Sequence, residues 1–293
     1  MPPHFPPRSK RECIRTSICF EEPTGDNPFV AEKTLCHGYD FDELVRRFSW
    51  AQMLFLLLKG ELPSTDEDRI MNLLMAAAIN PGPRDAAVRA AMNCGIGKTP
   101  IATILSTGLT IRGGMAEGSL HVEMAMRFLL GDLVKVENII DSNEASLKSL
   151  ITGYDRLVAE ERDRDIVPLP DHPPGFDLYY GKSDPRAKKL VRRLNEEGYA
   201  GPYLNLAQEI EKLVEKERDI FLTFAGAFAA VCCDMGFSPE QGNGIFLIAG
   251  TGGLLAHGVE QLPRQWNEYP FWANPAYYNY DGPEPSRKVE DLS

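Results

Sequence analysis

The sequence predicts an all-α protein, and three observations carry that expectation. Apolar residues recur at helical spacing through most of the chain, and start and stop signals fall between those stretches. The alternating pattern of a half-buried strand is almost absent, which disfavours βαβ folds and the nucleotide sites they carry. No internal repeat or coiled-coil heptad is present.

Taken in order, residues 1–30 read as an extended N-terminal arm, rich in proline and without sustained periodicity. A helix is expected over 42–59, with Gly60 as its stop. Ser64 opens the next, with Glu67 three residues on as the reciprocal cap, and Asn80-Pro81-Gly82-Pro83 breaks it after Ile79. Further helices are expected near 84–94, 99–111, 118–131 and 143–165. Pro168, Pro170, Pro173 and Pro174 mark a hinge-like interruption, beyond which helices are expected at 184–197, 203–217, 219–235 and 239–260. The tail over 261–293 carries Trp266, Tyr269, Phe271, Trp272, Tyr277, Tyr278 and Tyr280. So many aromatics would be costly to expose, and the tail is expected to wrap over the body or a second subunit.

With 293 residues, 43% of them hydrophobic, the chain can bury a sizeable core. A formal charge of −11 argues against nucleic acid as a partner. Six cysteines without a CxxC spacing fit a reduced, cytoplasmic protein with no metal site, and Cys232-Cys233 read as buried thiols. Met1 to Arg11 lacks the apolar stretch of a secretory signal, and the run Ile220 to Cys233 is too short to span a bilayer. A soluble protein is expected. Gly97-Lys98-Thr99 echoes the end of a phosphate-binding loop, but Met92 stands where its first glycine would be.

Four segments then carry a resemblance. His37-Gly38-Tyr39-Asp40 is followed by Phe48-Ser49-Trp50 and by Leu58 to Pro63, similar to the RGYD, SF and LLxGELP elements of citrate synthases and citryl-CoA lyases. Gly113-Gly114-Met115-Ala116-Glu117-Gly118-Ser119 lies where that family carries HGGA. Pro174 to Ala187 resembles PGFGHxxYK followed by DPRA, with one residue deleted after the lysine. Thr223-Phe224-Ala225-Gly226, then Phe246 to Gly253, Ala256-His257 and Glu260, is similar to the NVDG element and the helix after it. The resemblance spans roughly residues 34–260. It implies a citrate synthase-like two-domain helical fold, with a large helical domain beginning at 31–175 and a smaller one at 176–260. It also implies a homodimer with active sites between the domains.

In that family two histidines and an aspartate move the protons. Here Ala116, Leu178 and Ala225 occupy those positions, and none can transfer a proton. The arginine of the family's GRTPG element corresponds to Gly250, and a histidine before the third large-domain helix to Pro81, so citrate in its usual pose is not expected. The side facing coenzyme A is better kept: Gly175 and Phe176 could present backbone amides to adenine. Lys182 stands at a basic phosphate position, and Asp184 and Arg186 belong to the intact DPRA element. Asp184 also reads as an N-cap with Pro185 at the first helical position. Replacement chemistry could come from Glu117, His121, Asp177 and Tyr179, each beside a vacated position. Three of them also have a plainer reading: Glu117 as a first-turn charge, His121 as packing, Tyr179 as hinge core.

The expected function is a divergent enzyme acting on a CoA thioester, an acyl-CoA carbon–carbon lyase or acyltransferase with a non-citrate substrate. Two alternatives stay open. One is a catalytically silent relative that binds acyl-CoA or a partner subunit, and the other is a CoA-thioester hydrolase using Glu117 or Asp177 to activate water.

Overall fold

Local capping chemistry sets most helix boundaries. In the computed structural model, which describes residues 15–137, 139–141, 143–161, 169–179, 181–199, 201–268 and 281–282, eleven helices follow one another. They are α1 (Phe41–Arg47), α2 (Trp50–Lys59), α3 (Thr65–Ala78), α4 (Ala86–Ile96), α5 (Ile101–Arg112), α6 (Ser119–Leu129), α7 (Glu144–Glu161), α8 (Pro185–Glu196), α9 (Pro202–Arg218), α10 (Phe224–Asp234) and α11 (Pro239–Gln261). Ser49, Ser64 and Ser238 each form a complete capping box with Gln52, Glu67 and Gln241. The first of these corrects the expected single helix over 42–59. Phe48 is extended and Ser49 restarts the chain, so α1 and α2 are separate.

A second correction concerns strand. β1 (Cys19–Pro23), β2 (Ala31–Cys36) and β3 (Tyr39–Asp40) form an antiparallel sheet, with Cys19 opposite Cys36, so part of the expected arm is a paired hairpin. β1 is exposed along its whole length, so neither face imposes the alternation that would have revealed it. A two-residue ribbon, β4 (Phe176–Asp177) against β5 (Phe221–Leu222), delays the start of α10 to Phe224, five residues past the expected start at 219.

α10 lies at the centre. Its sequence Phe-Ala-Gly-Ala-Phe-Ala-Ala-Val-Cys-Cys is buried on every side, as an apolar helix without a polar face must be. It packs on α6, α8 and α9, while α11 packs on α3, α4, α5 and α6. One continuous core joins Leu54, Leu74, Met126, Tyr154, Leu194, Ile210, Phe228 and Phe246, each buried apolar side chain contributing about 1.5–3 kcal/mol. Cys232 and Cys233 sit in this core as free thiols whose pKa values burial pushes up.

Small residues set the closest approaches. A Cβ on Gly95 would lie 2.1 Å from the Gly258 carbonyl oxygen, so α4 and α11 meet backbone to backbone there. The Gly250-Thr251-Gly252-Gly253 run is helix interior, and no phosphate nest forms there. Lys98 donates to the carbonyls of Leu262 and Arg264 past the end of α11, a structural use for the Gly97-Lys98-Thr99 remnant. Among the described residues no helix is long and apolar enough to cross a membrane, and no cluster of His, Cys, Asp or Glu is placed to hold a metal. Most of the aromatic tail lies outside the described residues.

Candidate functional site

Four helix ends converge on one cleft. Arg112 closes α5, and the chain then folds back on itself through 113–118 before α6 begins. The reversal is tight: a Cβ on Gly118 would meet the Gly114 carbonyl at 2.2 Å, so only glycine fits. The same reversal holds Glu117 at φ 57°, a left-handed conformation unusual for a non-glycine residue. Glu117 is thereby turned toward α8, where its carboxylate accepts from Arg186 at 2.8 Å. α4 contributes its first residues and its cap Asp85, and the segment 169–179 closes the mouth. The cleft measures about 530 Å³ and is lined by Asp85, Arg112, Ala116, Glu117, His121, Asp177, Leu178, Tyr179 and Arg186, among others.

Arg186 organises the polar floor. Its guanidinium stacks on the Tyr179 ring at 4.1 Å and donates to both oxygens of Asp184, at 3.0 and 2.8 Å, as well as to Glu117. Asp184 is 1% exposed and fully engaged, since it also accepts from the Arg186 and Phe224 amides and so ties the start of α8 to the start of α10. Burial holds the Glu117 carboxyl above its ordinary range; the charge and hydrogen bond of Arg186 oppose that shift, and Asp184 and Asp177 reinforce it.

His121 has a different role from the proton carrier expected. It is buried, its Nε2 accepts from the Gly175 amide at 2.9 Å, and burial lowers its pKa, so it is a neutral clamp between α6 and the Gly175 turn. The same bond corrects the adenine expectation. The Gly175 amide is used by His121 and that of Phe176 by the Pro173 carbonyl, so neither is free to meet a ligand. Phe176 is itself 1% exposed, and Gly175, at φ +93°, packs on Gly226, whose Cβ would lie 2.2 Å from the Gly175 carbonyl.

The remaining positions divide. Asp177 is exposed at the cleft rim and accepts from the Leu178 amide at 2.6 Å. Ala116 and Leu178 line the cleft, whereas Ala225 is buried in α10. Lys182 is exposed outside the cleft lining and has no ion pair among the described residues. His257 meets Asn80 at 3.1 Å and so braces the end of α3 against α11. Sequence reasoning missed Arg112, Asp85 and the stacking of Arg112 on Phe246 at 4.2 Å. The available signal was an arginine immediately before Gly113-Gly114, a lone charge ending an otherwise apolar helix.

Comparison with known proteins bears on the fold. Residues 174–269 match the family model described as citrate synthase, C-terminal domain. No curated protein sequence matches. Among solved structures, citryl-CoA lyase from Hydrogenobacter thermophilus is similar at 25% identity and TM-score 0.69, over 95% of this chain and 98% of that one. ATP citrate lyase from Methanothrix soehngenii, in complex with citrate and coenzyme A, shares the fold at 16% identity and TM-score 0.65. That match covers 97% of this chain but 46% of the larger one. Citrate synthase from Thermoplasma acidophilum, with carboxymethyl coenzyme A and oxaloacetate, aligns at 15% identity and TM-score 0.56, over 83% and 60% of the two chains.

Proposed function

From the match of residues 174–269 to the citrate synthase C-terminal domain and the likeness to citryl-CoA lyase, we propose that the chain is a citrate synthase-like protein that acts on a CoA thioester, making or breaking a carbon–carbon bond beside the thioester carbonyl of a non-citrate acyl group. The observation that carries this reading is Glu117: a half-buried carboxyl with a raised pKa, held by backbone strain and by Arg186 on the wall of a cleft of about 530 Å³.

A carbon acid next to a thioester needs a base at its α-carbon and a donor at its carbonyl oxygen. Glu117 in its carboxylate form can take the α-proton, leaving the electron pair on the thioester oxygen as an enolate. That enolate carbon can then attack an electrophilic carbonyl, whose π pair moves to its oxygen and takes up the proton held by Glu117. In the cleavage direction the same carboxylate takes the proton of a β-hydroxyl group, and the bond to the α-carbon breaks. Tyr179 is the one hydroxyl-bearing side chain among the described lining residues, and its ring lies against the Arg186 guanidinium. His121 positions the Gly175 turn and carries no proton in this scheme. Lys182, exposed and without an ion pair among the described residues, supports the reading by offering a cation to a cofactor phosphate.

The test is product analysis with a panel of CoA thioesters, each offered alone and with 2-oxo acids. The expected outcome is turnover of at least one thioester, lost by about two to four orders of magnitude in Glu117→Gln. Acetyl-CoA with oxaloacetate, and citryl-CoA, are expected to give negligible turnover. Tight binding without any turnover would replace the enzyme with a silent acyl-CoA binder.

A further inference from the structure

The turn that ends β2 fixes which residues face each other across the N-terminal sheet. His37 and Gly38 both hold positive φ, 46° and 85°, the two left-handed residues that a two-residue type I′ turn requires. Cys36 and Tyr39 flank that turn and are partners in the β2–β3 ladder. Partners at that position exchange both backbone bonds, so the amide and carbonyl of Cys36 point toward β3 and away from β1. On the β1 side the next residue does the bonding: the His37 amide donates to the Ile18 carbonyl at 2.8 Å. Cys19 and Cys36 are therefore a directly opposed pair with no hydrogen bond between their backbones. Such pairs bring Cα atoms to about 4.5 Å, inside the roughly 4.4–6.8 Å that a disulfide spans, with both side chains on one face.

The two thiols differ in their surroundings. Cys36 is 4% exposed and packs with Leu44 of α1 and Leu56 of α2, which anchors β2 to the helices. Cys19 is exposed, on an edge strand that is exposed along its whole length. Burial holds the Cys36 thiol above its ordinary pKa, and the nearby charge of Cys19 adds to that shift. A solvent-facing thiol meets an oxidant first, and a second thiol beside it can resolve the product. Cys232 and Cys233 offer no such pair, because adjacent side chains on a helix do not face each other.

We propose that Cys19 and Cys36 form a redox-modification site, a cross-strand dithiol that a small peroxide oxidises to a disulfide. The Cys19 sulfur attacks one peroxide oxygen, the O–O bond breaks, and the departing hydroxide takes the thiol proton as water, leaving Cys19 as a sulfenic acid. The Cys36 sulfur then attacks the Cys19 sulfur. The S–O bond breaks, and its hydroxyl leaves with the Cys36 proton as a second water. Two thiols have lost two electrons and the peroxide has gained them. The new bond ties the exposed β1 to the anchored β2, and exchange with an external thiol releases it.

Peptide mapping of the full chain tests it, after treatment with hydrogen peroxide and blocking of the remaining thiols under denaturing conditions. Trypsin cuts after Arg15, Lys33 and Arg46, so Cys13, Cys19 and Cys36 fall on separate peptides. The expected species is 16–33 joined to 34–46, lighter than their sum by the two hydrogens lost and parted by reductant. It should come from a chain that runs at the mass of one copy in non-reducing electrophoresis. Cys19→Ser, a change at an exposed position, should abolish the joined species and leave Cys36 open to alkylation. A wild-type chain in which both thiols survive peroxide, or in which Cys19 stops at sulfenic or sulfinic acid beside a free Cys36, overturns the proposal. So does a bridge from either cysteine to Cys13, or one that joins two copies of the chain.

Discussion

Glu117 owes its chemistry to two neighbours that pull in opposite directions. Burial raises its pKa, while Arg186 at 2.8 Å lowers it, and burial outweighs the ion pair. A base must be deprotonated to act, so the rate should climb as pH rises through a value above the ordinary carboxylate range and then level off. The measurement is a pH–rate profile of the wild-type chain, with Glu117→Asp as comparison. A profile flat across the acid range would remove Glu117 as the base. The presence of Glu117 in the site was legible from its place beside Gly113-Gly114. Its partner was not, because Arg186 lies 69 positions away and reads locally as part of a helix cap. Arg112 was harder still: its place against Gly250 and Phe246 is set where two helices meet.

At the scale of elements, caps were legible and crossings were not. The Ser64–Glu67 box and the Asp184-Pro185 start were readable because their partners lie within three residues. The sheet β1–β3 was not, since exposed strands need no alternation. The junction of α9 and α10 gives a test of cross-element capping. Asp234, near the end of α10, accepts from the Tyr203 and Leu204 amides at 2.6 and 3.1 Å and so caps α9 from outside. Burial raises its pKa from 3.8 to about 6 despite those bonds. The folded chain then holds a proton that the unfolded chain has released, so this contribution is fully present below pH 3.8 and is lost as pH rises through about 6. Asp234→Asn should flatten that decline in denaturant titrations run between those pH values. An unchanged slope would show that the carboxyl does not titrate there.

The whole molecule joins one core across the boundary expected between a large and a small domain, since α2, α3, α6, α7 and α8–α11 all contribute to it. The two-domain division and the dimer therefore stand as proposals, motivated by the proline-rich interruption and the family resemblance. Exposed Phe29, Val45, Trp50, Ile111, Leu255 and Val259 are apolar surface of the kind a second subunit covers. Sedimentation at micromolar concentration should show twice the 32.6 kDa chain mass, and a clean monomer would remove any need for a shared site.

The central claim is that the cleft receives a CoA thioester, and calorimetric titration of the full chain with CoA thioesters and free CoA tests it most directly. The account predicts saturable binding of at least one thioester, tighter than free CoA. It further predicts binding weaker by about 1–3 kcal/mol in Lys182→Ala at an unchanged thermal midpoint, because Lys182 is exposed and has no ion pair among the described residues. No binding of any thioester or of CoA at millimolar concentration would contradict it.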